Sequence, residues 1–300
     1  MIRIPLTPIS HHARGKLVGC SWCADGRLAV LEVETPPERI NGMFTPTEVD
    51  KRSWYVTLYA PGLPPQVLPP IESKINFHYV QTLNDGQILL VCARCHYRNG
   101  EGEKNAAIYD LNGRLLRRFT LGDGIQDVIA TKRDTLWVSY FDEGVFGNYG
   151  WAQPMGQNGL VNYDANGTPL WQAEEFDICD CYALNVENDR SVWFYYYTDF
   201  DLIHLAGEAT TRYRVPIEGA SCFAVCHPYL VMDNGYSKHG KFSLLRTSGQ
   251  RMKKLDDLVF TTADGKRLTD AFYCMRGHLV AAYTEGSVYV TELSPTLLEG

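Results

Sequence analysis

The sequence has no run of about 18 apolar residues, the length a membrane-spanning helix needs. Its opening stretch, MIRIPLTPISHHARGK, lacks the apolar core of a signal peptide. The expectation is therefore a cytoplasmic chain with no membrane partner. Long alanine- or leucine-rich amphipathic stretches are also missing, which argues against a helical bundle. No basic stripe appears: 28 Lys and Arg stand against 35 Asp and Glu, spread along the chain to a formal charge of −7, so nucleic acid is not an expected partner. There is no GxSxG elbow, HExxH pair, phosphate loop or GxGxxG turn. Classical serine-hydrolase, zincin, NTPase and dinucleotide chemistry are disfavoured accordingly. Nine cysteines, an odd number without an export signal, point to reduced thiols packed as small hydrophobes rather than to a disulfide framework. The pairs Cys20/Cys23 and Cys92/Cys95 lie in or beside strand-like runs, not in the tight knuckles of a zinc site.

What the chain does have is 18 Tyr, 6 Trp and 26 Gly among 300 residues, a balance that favours strands, and the fold class reads as all-β. Six short runs, CADGRLAVLEV, TLNDGQILLVCA, TKRDTLWVSYF, ENDRSVWFYYY, CHPYLVMDN and MRGHLVAAYTE, each read as strand, tight turn, strand. The apolar residue after each turn is Leu28, Ile88, Leu136, Val192, Leu230 or Leu279, giving spacings of 60, 48, 56, 38 and 49. That is the period of a four-stranded propeller blade with variable loops, so a six-bladed β-propeller is expected, one domain over residues 1–300. Asn-Gly hairpins in NAAIYDLNGRLLRRFTL and GLVNYDANGTPLWQ supply outer strands. The last unit offers only three strands, and IRIPL at Ile2 to Leu6 is expected to close the ring against the carboxy-terminal strands, removing an exposed edge.

The YDxxG hairpins resemble those of bacterial NHL-like propellers, and YFDEGVFGNYGW with CYALNV resembles an uncharacterised family of bacterial propeller proteins. No WD dipeptide closes the units and no paired-glycine kelch signature appears. The resemblance implies a fold, not a reaction.

In a propeller the innermost strand begins on the face that carries the loops between second and third strands. Oxygen-bearing side chains fall near those starts: Asn76, Asp127, Asp180, Ser221 and Asp270. Asp127, Asp180 and Asp270 are the candidate metal ligands, since converging carboxylates suit calcium. The alternative is that such residues shape the turns between blades. The loops on this face are expected over residues 34–52, 94–104, 142–158, 198–201 and 233–240, and long loops on a rigid scaffold are where binding residues concentrate. The 142–158 loop offers Asp142, Glu143, Phe146, Asn148, Tyr149 and Trp151, a mixture of aromatic, amide and acid groups fit for a protein partner. It could equally pack its own aromatics as a plug.

Two functions follow. One is a non-catalytic protein-binding propeller of scaffold or immunity type, without a cofactor. The other is a calcium-dependent lactonase- or esterase-like hydrolase, with Asp142 or Glu143 as general base. Enzyme activity is the less expected of the two, because no catalytic constellation is legible.

Overall fold

The apolar runs that mark the six repeats become strands buried on both faces, packed inside apolar clusters of their own unit. Leu28–Val33, Ile88–Val91, Leu160–Tyr163 and Phe223–Cys226 are buried along their whole length. The outermost strands alternate instead, as in Ala209–Arg214, where charged and polar residues face water. A computed structural model describes residues 1–236 and 238–299. The chain packs as two compact units, one of Ala13–Cys181 and one joining Met1–His12 to Tyr182–Gly300.

Two short strands come first, β1 (Ile2–Pro5) and β2 (Thr7–Ile9), both part of the second-named unit. The Ala13–Cys181 unit holds three antiparallel sheets. In the first, β3 (Lys16–Trp22), β4 (Leu28–Val33) and β5 (Glu48–Tyr59) lie in order, and β6 (Gln66–Val67) and β7 (Ile71–Ile75) both pair with β5. The second runs β8 (Tyr79–Thr82), β9 (Ile88–Val91), then, past a small hairpin of β10 (Tyr97–Arg98) and β11 (Glu101–Gly102), β12 (Ala106–Tyr109) and β13 (Leu115–Phe119). The third is β14 (Ile125–Ala130), β15 (Leu136–Tyr140), β16 (Leu160–Tyr163) and β17 (Pro169–Gln172), with a one-turn helix α1 (Asp142–Phe146) between β15 and β16.

The other unit continues the pattern. β18 (Asp180–Asn188), whose first two residues still belong to the Ala13–Cys181 unit, forms one meander with β19 (Ser191–Tyr197), β20 (Asp201–Ala206) and β21 (Ala209–Arg214). β22 (Phe223–Cys226), β23 (Tyr229–Asp233), β24 (Phe242–Ser248) and β25 (Arg251–Thr261) form the next, and one parallel bridge, Arg214 to Arg251, links the two. The last has β26 (Phe272–Arg276), β27 (Leu279–Thr284) and β28 (Ser287–Glu292), followed by α2 (Pro295–Glu299).

The amino terminus does more than the sequence suggests. The fourth strand of the last sheet is β2, antiparallel to β28 with Thr7 opposite Val290, whereas β1 lies parallel to β25 with Ile2 opposite Leu258. The segment Ile2–Leu6 thus does not pair with the carboxy-terminal strands as expected; its neighbour Thr7–Ile9 does. Burial gives the reason: Ile4 and Leu6 enter the cluster of Phe242, Leu258 and Phe260 and are only 1% exposed each. Four such apolar clusters, two in each unit, fill the spaces between successive sheets of the same unit.

Candidate functional site

The Ala13–Cys181 unit buries a charged residue where a loop leaves β9. Asp123 grips Arg94 in a fork, with Nε to Oδ1 at 2.9 Å and Nη2 to Oδ2 at 3.0 Å, and the Arg94 Nη1 meets Glu143 Oε2 at 2.6 Å. Asp123 Oδ1 also accepts the Cys95 N–H at 2.8 Å. The Arg94 guanidinium carbon lies 4.1 Å from the Tyr149 ring centre and 5.5 Å from that of Phe141. Burial by itself would lower the Arg94 pKa, but the Asp123 bonds and the charges of Asp123 and Glu143 outweigh it and hold the cation firmly ionised. Such complete pairing is what a buried guanidinium requires.

Glycine decides where Glu143 sits. Gly144 of α1 packs flush on the backbone of residues 123 and 124: a Cβ at Gly144 would stand 2.5 Å from the Asp123 carbonyl oxygen, and one at Gly124 would stand 2.2 Å from the Gly144 nitrogen. No larger residue permits this approach, so α1 is seated with its second residue against Arg94. Beside it opens a cleft of about 490 Å³, walled by Met43, Phe44 and Thr45 on one side and by Phe141, Asp142 and Glu143 on the other, with Arg94 and Tyr79 between them. Met43 is 66% exposed on the cleft wall, and Phe146 is 68% exposed at the end of α1.

The six candidate binding residues separate into two groups. Asp142, Glu143 and Phe146 lie on α1, and the first two line the cleft. Tyr149 and Trp151 turn inward. The Tyr149 ring centre is 4.2 Å from that of His96, and its hydroxyl donates to the Thr45 carbonyl at 3.3 Å. Trp151 Nε1 donates to the Cys95 carbonyl at 2.6 Å, its ring is 4.8 Å from that of Tyr97, and a Cβ on Gly102 would stand 2.7 Å from it. Asn148 spends its side-chain oxygen on the Tyr149 N–H at 2.7 Å. The loop is fastened to the β10–β11 hairpin, and Phe146 is the aromatic residue of the six that stands out to solvent.

The candidate metal ligands are divided between the units. Asp127, at an irregular start of β14, accepts the Val128 N–H at 2.7 Å, and burial pushes its pKa up to about 6. Asp180 opens β18; its Oδ1 is buried without a hydrogen-bond partner among the described residues, and burial, then the Asp142 charge, push it up to about 7. Both carboxylates bear on the Cys181 thiol, which burial and then those charges hold well above its usual range. Asp270 lies in the other unit, exposed, with the Thr269 hydroxyl 3.5 Å away. Among the described residues no group of three or more His, Cys, Asp or Glu side chains is arranged to hold a metal ion. Calcium takes six to eight oxygens, so Asp127 and Asp180 by themselves do not fit it.

Sequence reasoning missed Arg94, Asp123 and Tyr79. Arg94 had a signal, an arginine placed directly after the apolar run LLVCA. Asp123 had none beyond its place between two glycines.

The sequence of residues 156–291 matches the model of the YxzG family. No curated protein matches the chain. Solved structures similar to it include a mitotic checkpoint complex, at 8% identity, TM-score 0.53, covering 97% of this chain and 90% of that one. Another is virginiamycin B lyase from Staphylococcus aureus, at 10% identity and TM-score 0.52 over 96% of this chain and 99% of that one. A β-propeller domain from Myceliophteria thermophila shares 10% identity at TM-score 0.52, over 92% and 83% of the two chains. At such identities the likeness speaks for architecture alone, and the architecture of this all-β chain is that of a β-propeller.

Proposed function

We propose that the chain is one six-bladed propeller domain, its blades the four-stranded meanders, and that it acts as a non-catalytic protein-binding module of scaffold or immunity type. The partner docks over the cleft between the 34–47 loop and α1. Met43 and Phe146 serve as apolar anchors, and Asp142 and Glu143 form the polar rim. The observation that carries this reading is the exposure of Met43 in the wall of a concave site and of Phe146 at the end of α1, the helix whose Asp142 and Glu143 line that site together with Arg94, itself ion-paired to Asp123 and Glu143. Exposed apolar side chains beside an ion-paired polar floor are what a docking surface needs and what monomers otherwise avoid. The test is partner capture from lysate of the source cells by the parent protein and by a Met43→Ala, Phe146→Ala variant. Capture lost in the variant, with the melting temperature unchanged, is the expected result; equal capture sinks the assignment.

A second reading, a lactone or ester hydrolase, is favoured by Asp180. Its buried, unpartnered oxygen and a pKa pushed up to about 7 suit a general base near neutrality. Lactone and ester turnover by the parent protein, lost in Asp180→Asn with the melting temperature retained, would favour it over docking.

A further inference from the structure

A second concave site lies in the other unit, in a groove of about 820 Å³ formed by the 215–218 connection, the turn that leads into β24, and the later half of β25 with Arg267 and Thr269. Its floor is apolar: Ile217, Phe242, Leu258 and Val259 are each at most 7% exposed. Its walls carry Lys238, Lys241, Lys254 and Arg267 against two carboxylates, Glu218 and Asp257. Lys254 bonds Asp257 at 2.5 Å, and the Met1 ammonium is taken by Asp256 at 2.9 Å. Lys238, Lys241 and Arg267, all exposed, meet no carboxylate among the described residues. On a chain of net charge −7 this is a local reversal of sign.

Two glycines fix the turn that presents these groups. A Cβ at Gly235 would stand 1.9 Å from the Glu218 carbonyl oxygen, and one at Gly240 would stand 1.9 Å from the Thr269 carbonyl oxygen. Only glycine permits either approach, so the turn is seated between residues 218 and 269. His239 Nδ1 ties it further, donating to the buried Asp233 at 2.7 Å. Tyr236, on the same turn, rests one face on Gly219, where a Cβ would come 2.5 Å from the ring, and its hydroxyl is 2.7 Å from that of Tyr182. The ring is still 52% exposed, so its opposite face is open at the groove.

We infer that this groove binds a nucleoside triphosphate, with the base stacked on Tyr236 and the phosphates on Lys238, Lys241 and Arg267. Several negative charges on one small ligand match three cations that have no carboxylate of their own, and a flat base matches a braced, open tyrosine face. Glu218 can accept from an amino or hydroxyl group of the nucleoside. Inorganic polyphosphate would satisfy the cations but leave Tyr236 uncovered. The sequence has no phosphate loop, so the phosphates are held by side chains rather than by a backbone cradle. This site shares no residue with the cleft beside α1 and does not depend on it.

The test is calorimetric titration of the protein with ATP at low salt in EDTA. Expected is saturable binding that weakens as salt rises, and at least about a tenfold loss in a Lys238→Ala, Lys241→Ala, Arg267→Ala variant, whose exposed positions leave the melting temperature unchanged. Inorganic triphosphate is expected to bind at least about fivefold more weakly than ATP, and Tyr236→Leu to lose a similar factor for ATP while binding triphosphate like the parent. Tyr236→Phe keeps the ring and should bind ATP as the parent does, which separates stacking from any damage to the turn. The Met43→Ala, Phe146→Ala variant should also bind like the parent, so failure here and failure of the docking cleft are distinguishable. Absence of ATP binding by the parent, equal binding by the triple variant, or equal affinity for triphosphate and ATP overturns the inference. Tighter binding of a twelve-residue oligothymidylate, lost in the same triple variant, overturns it in favour of a nucleic-acid surface.

Discussion

Asp180 and His78 show what single buried titratable groups do to this protein. Burial, then Asp142, raise Asp180 from 3.8 to about 7, so between those values the folded state holds more proton than the unfolded one, and this residue's contribution to stability falls as pH rises through that window. His78 has the opposite sign. Burial, then the charges of Arg39 and Arg94, lower it from 6.5 to about 4, its Nδ1 accepts the Ala93 N–H at 3.1 Å, and stability is lost as pH drops through that range. Asp180→Asn is therefore expected to raise stability at pH 8 by about 1–2 kcal/mol, after discounting the roughly 4 kcal/mol implied by the full shift because the side chain is partly exposed. At pH 4 the gain should vanish. Urea melts at the two pH values check this, and an equal effect at both would show that Asp180 ionises freely. The sequence marked Asp127 and Asp180 as inner-strand carboxylates, and both are half-buried in the structure. It gave no sign that they and Asp270 belong to different units, since spacing along a repeat says where a residue stands in its own sheet and nothing of distances between sheets.

The loop from Asp142 to Asn158 illustrates the element scale. Its position between two strands was legible from strand periodicity, because β15 and β16 each bury an apolar run on both sides of it. Its packing was not. A tryptophan in a glycine-rich loop reads the same whether it faces water or protein; here the choice rests on Gly102 and Tyr97 of a hairpin about 50 residues earlier in the chain. Trp151→Ala should accordingly cost about 2–3 kcal/mol, somewhat below the usual range for a fully buried tryptophan, since its ring is partly exposed. Phe146→Ala should stay within about 0.5 kcal/mol. Denaturant midpoints of the two variants decide the matter: equal midpoints would mean that the loop is not fastened by Trp151. Gly144→Ala probes the same element from below. A methyl group 2.5 Å from the Asp123 carbonyl must push α1 away, and with it Glu143 from Arg94. The expected signature is reduced stability together with weakened partner capture.

On the scale of the whole molecule, the amino-terminal residues tie together elements far apart in sequence. β1 covers part of β25, β2 completes the sheet of β26–β28, and Ile4 and Leu6 fill the cluster between those sheets. Deleting residues 1–9 should remove at least about 4 kcal/mol from two buried aliphatic side chains and leave two strand edges open. A lower urea midpoint and concentration-dependent association in sedimentation are the expected results; an unchanged midpoint would show that these strands are passive. The all-β class, the strand pairs of each repeat and the places of the long loops were determined by the sequence itself, because strand alternation and turn residues are local signals with a period of two. Three features were decided only by tertiary structure: the parallel pairing of β1 with β25, the burial of Arg94 between Asp123 and Glu143, and the packing of Trp151 on the β10–β11 hairpin. Each depends on which distant segment fills the space beside a strand, and that is set by packing between sheets, which no local pattern encodes.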